Sequence, residues 1–410
     1  MRLLILSPIS PLPIFTGGRR RLYHITREQA RRHDVTFLSF CRSEEEREGL
    51  ITLGKTLGIR VHIVPFRSLK RVFKGQFHWD LARIACAHWR ARRQQLPPDI
   101  AVWDQPAMRR ALTEELSSHS YDILQIEWPY LASYALQDHL PPTVLITHDI
   151  FSVGLTRRAE LQTNARKRKQ LMRLAQNWIA YEQIIYPRFT RVAAMSTKDA
   201  AIIQQRAPAA RIIISPNGVD AQNIRPGPMR PQVRQLLFVG SPTHEPNLDA
   251  ACWLVRAIWP KLYTRHPHLS LTLLNLDHPR VRTCSANMPR IQIIGRVPDV
   301  LPFYHQADIA LAPIRTGSGT RLKILEAFAA GVPVVSTSIG YEGLKAVPGK
   351  HLLVGDSPES FIAAIEQLID SLPLRKTLAT HARNLVETEY DWSKIVDALD
   401  QDYAEILSQH

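Results

Sequence analysis

The stretch GSGTRLKILEAFAAGVPVVS, Gly317 to Ser336, decides how the chain is read. Two glycines, Gly317 and Gly319, with Ser318 and Thr320, stand before a helix-forming run carrying Arg321, Leu322, Lys323 and Glu326. Gly331-Val-Pro333 closes that run, and Val334-Val335 opens a short β-branched segment. A loop, a helix and a buried strand in succession are the repeating unit of a parallel sheet. The start of such a helix offers unpaired N–H groups and the positive end of a dipole, which together suit a phosphate. Glycines let backbone approach a ligand without a Cβ in the way. Arg321 and Lys323 add positive charge. Glu326 lies one turn deeper, where a carboxylate can accept from two vicinal hydroxyls such as those of a ribose. The spacing fits a nucleotide diphosphate held lengthwise. It also fits a plainer helix, capped by Thr320, with Lys323 and Glu326 as a surface pair.

Outward from this stretch the same alternation continues in both directions. Upstream, strands are expected at Leu236–Val239, Ser270–Asn275, Ile291–Ile294 and Ile309–Ala312, with helices at Leu248–Tyr263 and near Val300–Gln306. The last 50 residues read as helical. Arg225-Pro-Gly-Pro-Met-Arg-Pro231 is the best linker. Before it, strands are expected at Leu3–Ser7, Val35–Phe40, Arg60–Val64, Ile123–Ile126, Thr143–Thr147, Val192–Met195 and Ile212–Ser215. Helices are expected at Arg20–Arg32 and Glu44–Leu57. The fold class is therefore α/β, with two Rossmann-like domains in tandem and a cleft between them. The expected boundaries are 1–215, 216–390, and a C-terminal helix over 391–410 returning to the first domain.

The 410 residues suffice for two cores, and 45% hydrophobic with 22% charged residues is ordinary for a globular chain. No run of 18 apolar residues is present, and Leu3–Leu6 is too short for a secretion signal. Cys41, Cys86, Cys252 and Cys284 are scattered without a Cys-x-x-Cys, which suggests neither zinc nor a disulfide framework. A cytoplasmic location is expected. The net charge of +15 is uneven. Residues 1–231 hold 35 Lys and Arg against 19 Asp and Glu, whereas residues 232–410 hold 17 against 18. That asymmetry suits an anionic partner for the first half, or a solvated basic face. Phe77–Arg93 interleaves tryptophans with arginines, as an interfacial helix beside an anionic bilayer does, or as a core-facing helix with a basic outer side does.

Taken in order, the motifs resemble glycosyltransferase family 4, whose members have the GT-B fold. The Gly317–Ser336 stretch resembles its donor-site signature. Gly17-Gly18 follows a strand and a proline-rich loop. Thr147-His148-Asp149 ends a strand where the family often has a histidine facing the transferred sugar. Pro216-Asn-Gly-Val-Asp220, Phe238-Val-Gly240-Ser241, Asp308–Pro313 and Tyr390-Asp-Trp392 follow in the family's order. The resemblance spans nearly the whole chain and is nearest to sugar transferases of bacterial exopolysaccharide systems. It implies a retaining glycosyltransferase that uses a nucleotide-diphosphate sugar and needs no bound metal or cofactor. The second domain would bind the donor and the first a glycan or lipid-linked acceptor. The implied location is cytoplasmic or peripheral on the inner face of an anionic membrane, and no nucleic-acid partner is expected. The implied catalytic residues are His148, Arg321 and Lys323. Gly17, Gly18, Gly240, Gly317, Ser318, Gly319, Thr320, Leu322 and Glu326 belong to the donor site, with Glu127 and Trp128 on the acceptor side.

Two departures stand out. Family members commonly carry glutamates eight positions apart in the donor loop, and here Ser318 replaces the first. Many also carry an arginine after Val-Gly and a lysine soon after, but this chain has Val239-Gly-Ser-Pro-Thr-His-Glu-Pro-Asn247. Arg321 and Lys323 are thus expected to replace the missing cations. The rival readings are a nucleic-acid-binding protein built on the basic half, which lacks any reader motif, and a sugar-nucleotide 2-epimerase, which the order of motifs disfavours.

Overall fold

The structure, a computed structural model, describes residues 1–66, 97–137, 139–317 and 319–409. The expected helix at Phe77–Arg93 and Ser318 lie outside these residues. The chain forms two units, residues 1–14, 18–215 and 396–410 in one and residues 15–17 and 216–395 in the other.

In the first unit the order is β1 (Arg2–Ser7), α1 (Gly17–Ala30), β2 (Asp34–Cys41), α2 (Glu44–Leu57), β3 (Arg60–Pro65), α3 (Pro98–Trp103) and α4 (Pro106–Ser118). Then come β4 (Ile123–Glu127), β5 (Thr143–Ile146), α5 (Phe151–Glu160), α6 (Ala165–Ile185), β6 (Arg191–Ala194), α7 (Thr197–Arg206) and β7 (Ile212–Ile214). The described strands make one parallel sheet, ordered β3-β2-β1-β4-β5-β6-β7. Alternate residues of β1 serve opposite faces. Leu3 and Ile5 join Phe37, Ile123 and Val144 on one side, and Leu4 and Leu6 join Phe40, Leu124 and Leu145 on the other. Both faces are buried, which is why the strand reads as an unbroken apolar run. Truncating Leu4, which is fully enclosed, to alanine costs about 2–5 kcal/mol.

The second unit contains β8 (Gln235–Val239), α8 (Glu245–Trp253), α9 (Trp259–Arg265), β9 (Ser270–Leu274), α10 (Pro279–Ser285), β10 (Ile291–Ile294) and α11 (Leu301–Gln306). It continues with β11 (Ile309–Ala312), α12 (Leu322–Ala329), β12 (Val334–Ser336), β13 (Leu353–Val354), α13 (Pro358–Asp370) and α14 (Leu372–Glu389). Its parallel sheet is ordered β10-β9-β8-β11-β12-β13. The final helix α15 (Trp392–Ser408) lends Leu399, Tyr403 and Ile406 to the core beneath β1 in the first unit.

Three differences from the sequence-based reading have simple causes. The expected helix Leu248–Tyr263 starts earlier, at Glu245, and is broken by a π turn at Leu254–Ile258. Pro260 lacks an N–H and crowds the preceding turn, so the helical ladder widens there before α9. The expected linker, residues 225–231, is anchored at its end and just before its start. Arg375 donates to the carbonyls of Arg230 and Pro231 at 2.8 and 2.6 Å, and Arg383 to those of Ala221 and Ile224 at 2.7 and 2.8 Å. Helix α1 begins at Gly17, three residues before the expected start.

In both parallel sheets the order of strands reverses once, between β1 and β4 and between β8 and β11. Ligands of open α/β sheets bind beyond the carboxyl ends of strands at such a reversal. Gly17 and Gly18 open α1 after β1, and Glu127 ends β4 with Trp128 just beyond it. Gly240 and the loop before α12 follow β8 and β11.

Candidate active site

In the second unit, Gly317 (φ 99°) and Gly319 (φ 73°) hold the left-handed backbone that the loop between β11 and α12 requires. The loop delivers the chain to Arg321, which is the N-cap residue of α12 and makes no side-chain cap bond. Thr320 is therefore not the cap. Its hydroxyl is buried, with the residue 7% exposed, and has no hydrogen-bond partner. The Asn217 amide donates to the Thr320 carbonyl at 3.1 Å, so the Pro216–Asp220 motif braces this loop.

The two cations expected at the mouth behave differently. Arg321 turns back, its Nη1 donating to the Gly319 carbonyl at 2.5 Å and its Nη2 to the Thr316 carbonyl at 3.5 Å. It braces the glycine loop in addition to charging it. Lys323 points inward, donating from Nζ to Asn247 Oδ1 at 2.8 Å, with the ammonium 4.5 Å above the Phe238 ring. Burial, reinforced by the Arg321 charge and opposed by Glu326, pushes the Lys323 ammonium down to about 7. Glu326 is only 7% exposed, and its Oε2 accepts from the Tyr304 hydroxyl at 3.1 Å. Lys323 and Glu326 are thus not a surface pair. Glu326 is among the buried residues of the helix, and Lys323, half-buried, turns its ammonium onto Asn247 and the Phe238 ring.

Helix α8 tethers both neighbouring cations. Asn247 holds Lys323, and Asp249 holds Arg315 through bonds of 2.7 and 3.1 Å. Asn247, Tyr304 and Asn217 were not anticipated as site residues. The Pro246-Asn247 pair was visible in the segment lacking the family cations, but nothing local marks Tyr304, which reaches α12 from α11. Leu322 is buried as the first residue of α12. Gly240 serves packing: a Cβ there would come within 2.5 Å of Leu276.

In the first unit, His148 sits just beyond β5 with φ 58°, and Trp128 just beyond β4 with φ 66°. Neither is a conformation that a bulky residue adopts readily. Their rings stack with centroids 3.5 Å apart and planes 2° from parallel. Gly18 is required here, since a Cβ would come within 2.9 Å of the indole. His148 Nε2 meets Glu127 Oε2 at 2.5 Å, and Gln125 Nε2 donates to Glu127 Oε1 at 2.5 Å. Gln125 Oε1 accepts from Gln29 at 2.8 Å and from Tyr403 at 2.7 Å. Arg21, fully buried in α1, adds a positive charge behind Glu127 and donates to Ser215 Oγ at 2.8 Å.

Burial lowers the proton affinity of His148, and the Glu127 carboxylate opposes that shift. A neutral imidazole facing a carboxylate carries its proton on Nε2, which leaves Nδ1 as an acceptor. Glu127 and Trp128, expected on the acceptor side, form the buried bed under His148. Their side chains are engaged in fixing its ring. Among the described residues no cluster of three His, Cys, Asp or Glu side chains suits a metal.

Two family models cover most of this architecture. Residues 87–223 match Glycosyltransferase Family 4, and residues 233–371 match Glycosyl transferases group 1. The chain belongs to the family 4 type of glycosyltransferase. Among curated relatives, an uncharacterized protein from the cps region of Klebsiella pneumoniae is 25% identical over 40% of this chain and 44% of its own length. The phosphatidyl-myo-inositol mannosyltransferase of Mycolicibacterium smegmatis is 24% identical over 71% of this chain and 72% of its own. The chain spans about half the length of the first curated relatives it matches, at 44% and 48%. The solved structure of Anabaena HepE in complex with UDP and glucose has a TM-score of 0.65 at 16% identity, with 100% of each chain covered. That likeness speaks for the GT-B fold of this chain.

Proposed function

We propose that this chain is a retaining glycosyltransferase moving a sugar from a nucleotide-diphosphate sugar to a glycan or lipid-linked acceptor, in the synthesis of a cell-surface polysaccharide. The observation that carries the reading is the loop before α12. It combines two left-handed glycines, an unpartnered buried hydroxyl on Thr320, the inward ammonium of Lys323 and the inward carboxylate of Glu326. The loop N–H groups and the Thr320 hydroxyl would take the diphosphate, Lys323 its developing charge as the sugar leaves, and Glu326 the ribose hydroxyls. His148, neutral and held on Nε2, would present Nδ1 to the sugar. Charge on the leaving group would be met by these side chains without a metal. Retention rests on the family resemblance. HepE supports a nucleotide sugar by its complex with UDP and glucose. The cps-region relative favours surface polysaccharide, and the mannosyltransferase, named for phosphatidyl-myo-inositol, favours a lipid-linked acceptor; work at a membrane's inner face is our own reading.

The test is thermal shift and calorimetry with a panel of nucleotide sugars, followed by Glu326→Ala. A saturating donor raises the melting temperature by mass action. Losing a charged acceptor to two hydroxyls costs about 1.5–3 kcal/mol, roughly ten- to a hundred-fold in affinity. A panel without a stabilising nucleotide, or a variant binding as tightly as the parent, would overturn the donor assignment.

A further inference from the structure

Helices α5 and α6 form a hairpin whose tip carries more charge than its fold requires. Residues 157–173 hold seven cations (Arg157, Arg158, Arg166, Lys167, Arg168, Lys169 and Arg173) against one acid, Glu160. Arg157 and Arg158 end α5, where the helix dipole favours cations. The four consecutive cations at Arg166–Lys169 open α6, where the dipole opposes them, and no acid shares that turn. Asn164 caps the helix, accepting from the Lys167 N–H at 3.0 Å, but a cap does not offset this repulsion. A solubilising surface has no need of cations at the one helix end that disfavours them.

The tip also stands away from the core. The fully buried residues of α6 begin only at Ala175 and continue through Trp178, Tyr181, Glu182 and Ile185. The first ten residues of the helix, about 15 Å at 1.5 Å per residue, precede them, and residues 163–170 are all exposed. Two large apolar side chains flank the cations in the open, Leu161 at 48% exposure and Met172 at 37%. Cations beside isolated, exposed aliphatic side chains suit the headgroup boundary of a bilayer, where the charges meet lipid phosphates and the aliphatic groups enter the acyl edge. A nucleic acid would find the phosphate-binding charge, but no aromatic side chain on this tip for its bases.

We propose that the α5–α6 tip is the surface by which this protein docks on an anionic phospholipid bilayer. This rests on the reading that the chain works at a membrane, and not on the identity of its donor.

The experiment is co-sedimentation of the full chain with phosphatidylglycerol-containing and pure phosphatidylcholine vesicles at low salt. It compares the parent with a variant combining Arg166→Gln, Lys167→Gln, Arg168→Gln and Lys169→Gln. Glutamine is a comparable helix former, and relieving repulsion should leave the melting temperature equal or higher. Nucleotide binding serves as a second check of folding. The parent should sediment with anionic vesicles only, and the variant should partition up to several hundred-fold less, since each of the four basic side chains contributes about five-fold. Leu161→Ser with Met172→Ser should weaken binding further in proportion to the apolar surface lost. If the four-fold variant sediments like the parent, the hairpin assignment is wrong while the membrane reading stands. If the parent ignores anionic vesicles, both fall and the donor chemistry is untouched. If the parent binds duplex DNA through these residues and does not discriminate vesicles, the partner is a nucleic acid and the proposal is overturned.

Discussion

His148, buried, and Lys323, half-buried, are both bases whose proton affinity is lowered by desolvation, yet their surroundings differ. His148 rests on Trp128 and a carboxylate whose oxygens are both engaged, in a chain reaching Gln125, Gln29 and Tyr403. Lys323 has one amide oxygen and an aromatic face, under a loop with a buried hydroxyl that has no partner. The first arrangement holds a ring in one tautomer and one pose. The second leaves electrostatic need unmet, and a diphosphate can meet it. Two switch points of similar topology can therefore specialise, one by engaging both oxygens of its carboxylate and the other by leaving a buried hydroxyl open.

Replacing Lys323 breaks the contrast most severely. Lys323→Met keeps the length and removes the charge, and turnover should fall about a hundred-fold, the scale seen when a charge-stabilising donor is lost. Stability should move the other way. The unfolded lysine holds its proton to about 10.5 and the folded one only to about 7. Across that window the unfolded state binds more protons, so this group's contribution to stability rises with pH and is least favourable below 7. Met removes that burden, so the variant should melt higher than the parent at pH 6. Nucleotide binding restores the ammonium and should take up close to one proton at pH 8, readable by calorimetry in buffers of different ionisation heat. Absence of proton uptake would place the diphosphate away from Lys323. Arg321→Ala should mainly loosen the loop, since the guanidinium is turned onto the carbonyls of Gly319 and Thr316.

The other half of the contrast is sharpened by Glu127→Gln. The amide keeps the shape and loses the charge that opposes the burial of His148. The imidazole should therefore titrate still lower, seen by NMR of its ring protons. The ring loses its fixed tautomer, and turnover should drop about ten-fold through misplacement. Glu127→Asp should recover the titration partly. A titration unmoved by Glu127→Gln would mean that the pair is packing alone.

Much of this was legible in the residues. Apolar runs such as Leu3–Leu6 and Ile309–Ala312 are strands because parallel sheets bury both faces. Gly317, Gly319 and Glu326 announced the loop and its helix. The direction of side chains was not legible. Helical spacing placed Lys323 and Glu326 on one side without saying that this side faces inward, and it could not show Arg321 folding back. The partners that decide chemistry come from far along the chain: Asn247 lies 76 positions from Lys323, and Tyr403 lies 278 from Gln125. Local pattern reports periodicity, and long-range hydrogen bonds leave no mark in it. Pro260 is a local mark that the expected helix Leu248–Tyr263 passed over: its missing N–H goes with the π turn before it.

The smallest expected effect discriminates best between the two regions. Thr320→Val is nearly isosteric and removes only the hydroxyl. In the folded chain that hydroxyl is enclosed and unpartnered, so losing it forfeits no internal bond and relieves an unsatisfied polar group. The melting temperature of the free protein should stay the same or rise. If the hydroxyl donates to a donor phosphate, nucleotide affinity should weaken by about 0.5–1.5 kcal/mol, roughly three- to ten-fold. A structural threonine predicts the reverse, with stability lost and affinity kept. Valine at Thr147 supplies the control, because the Thr147 hydroxyl already donates to the Ala193 carbonyl at 3.0 Å. Thr147→Val should lower stability without touching nucleotide affinity. If both variants behave alike, the open loop and the closed network are not the different devices that their hydrogen bonds describe.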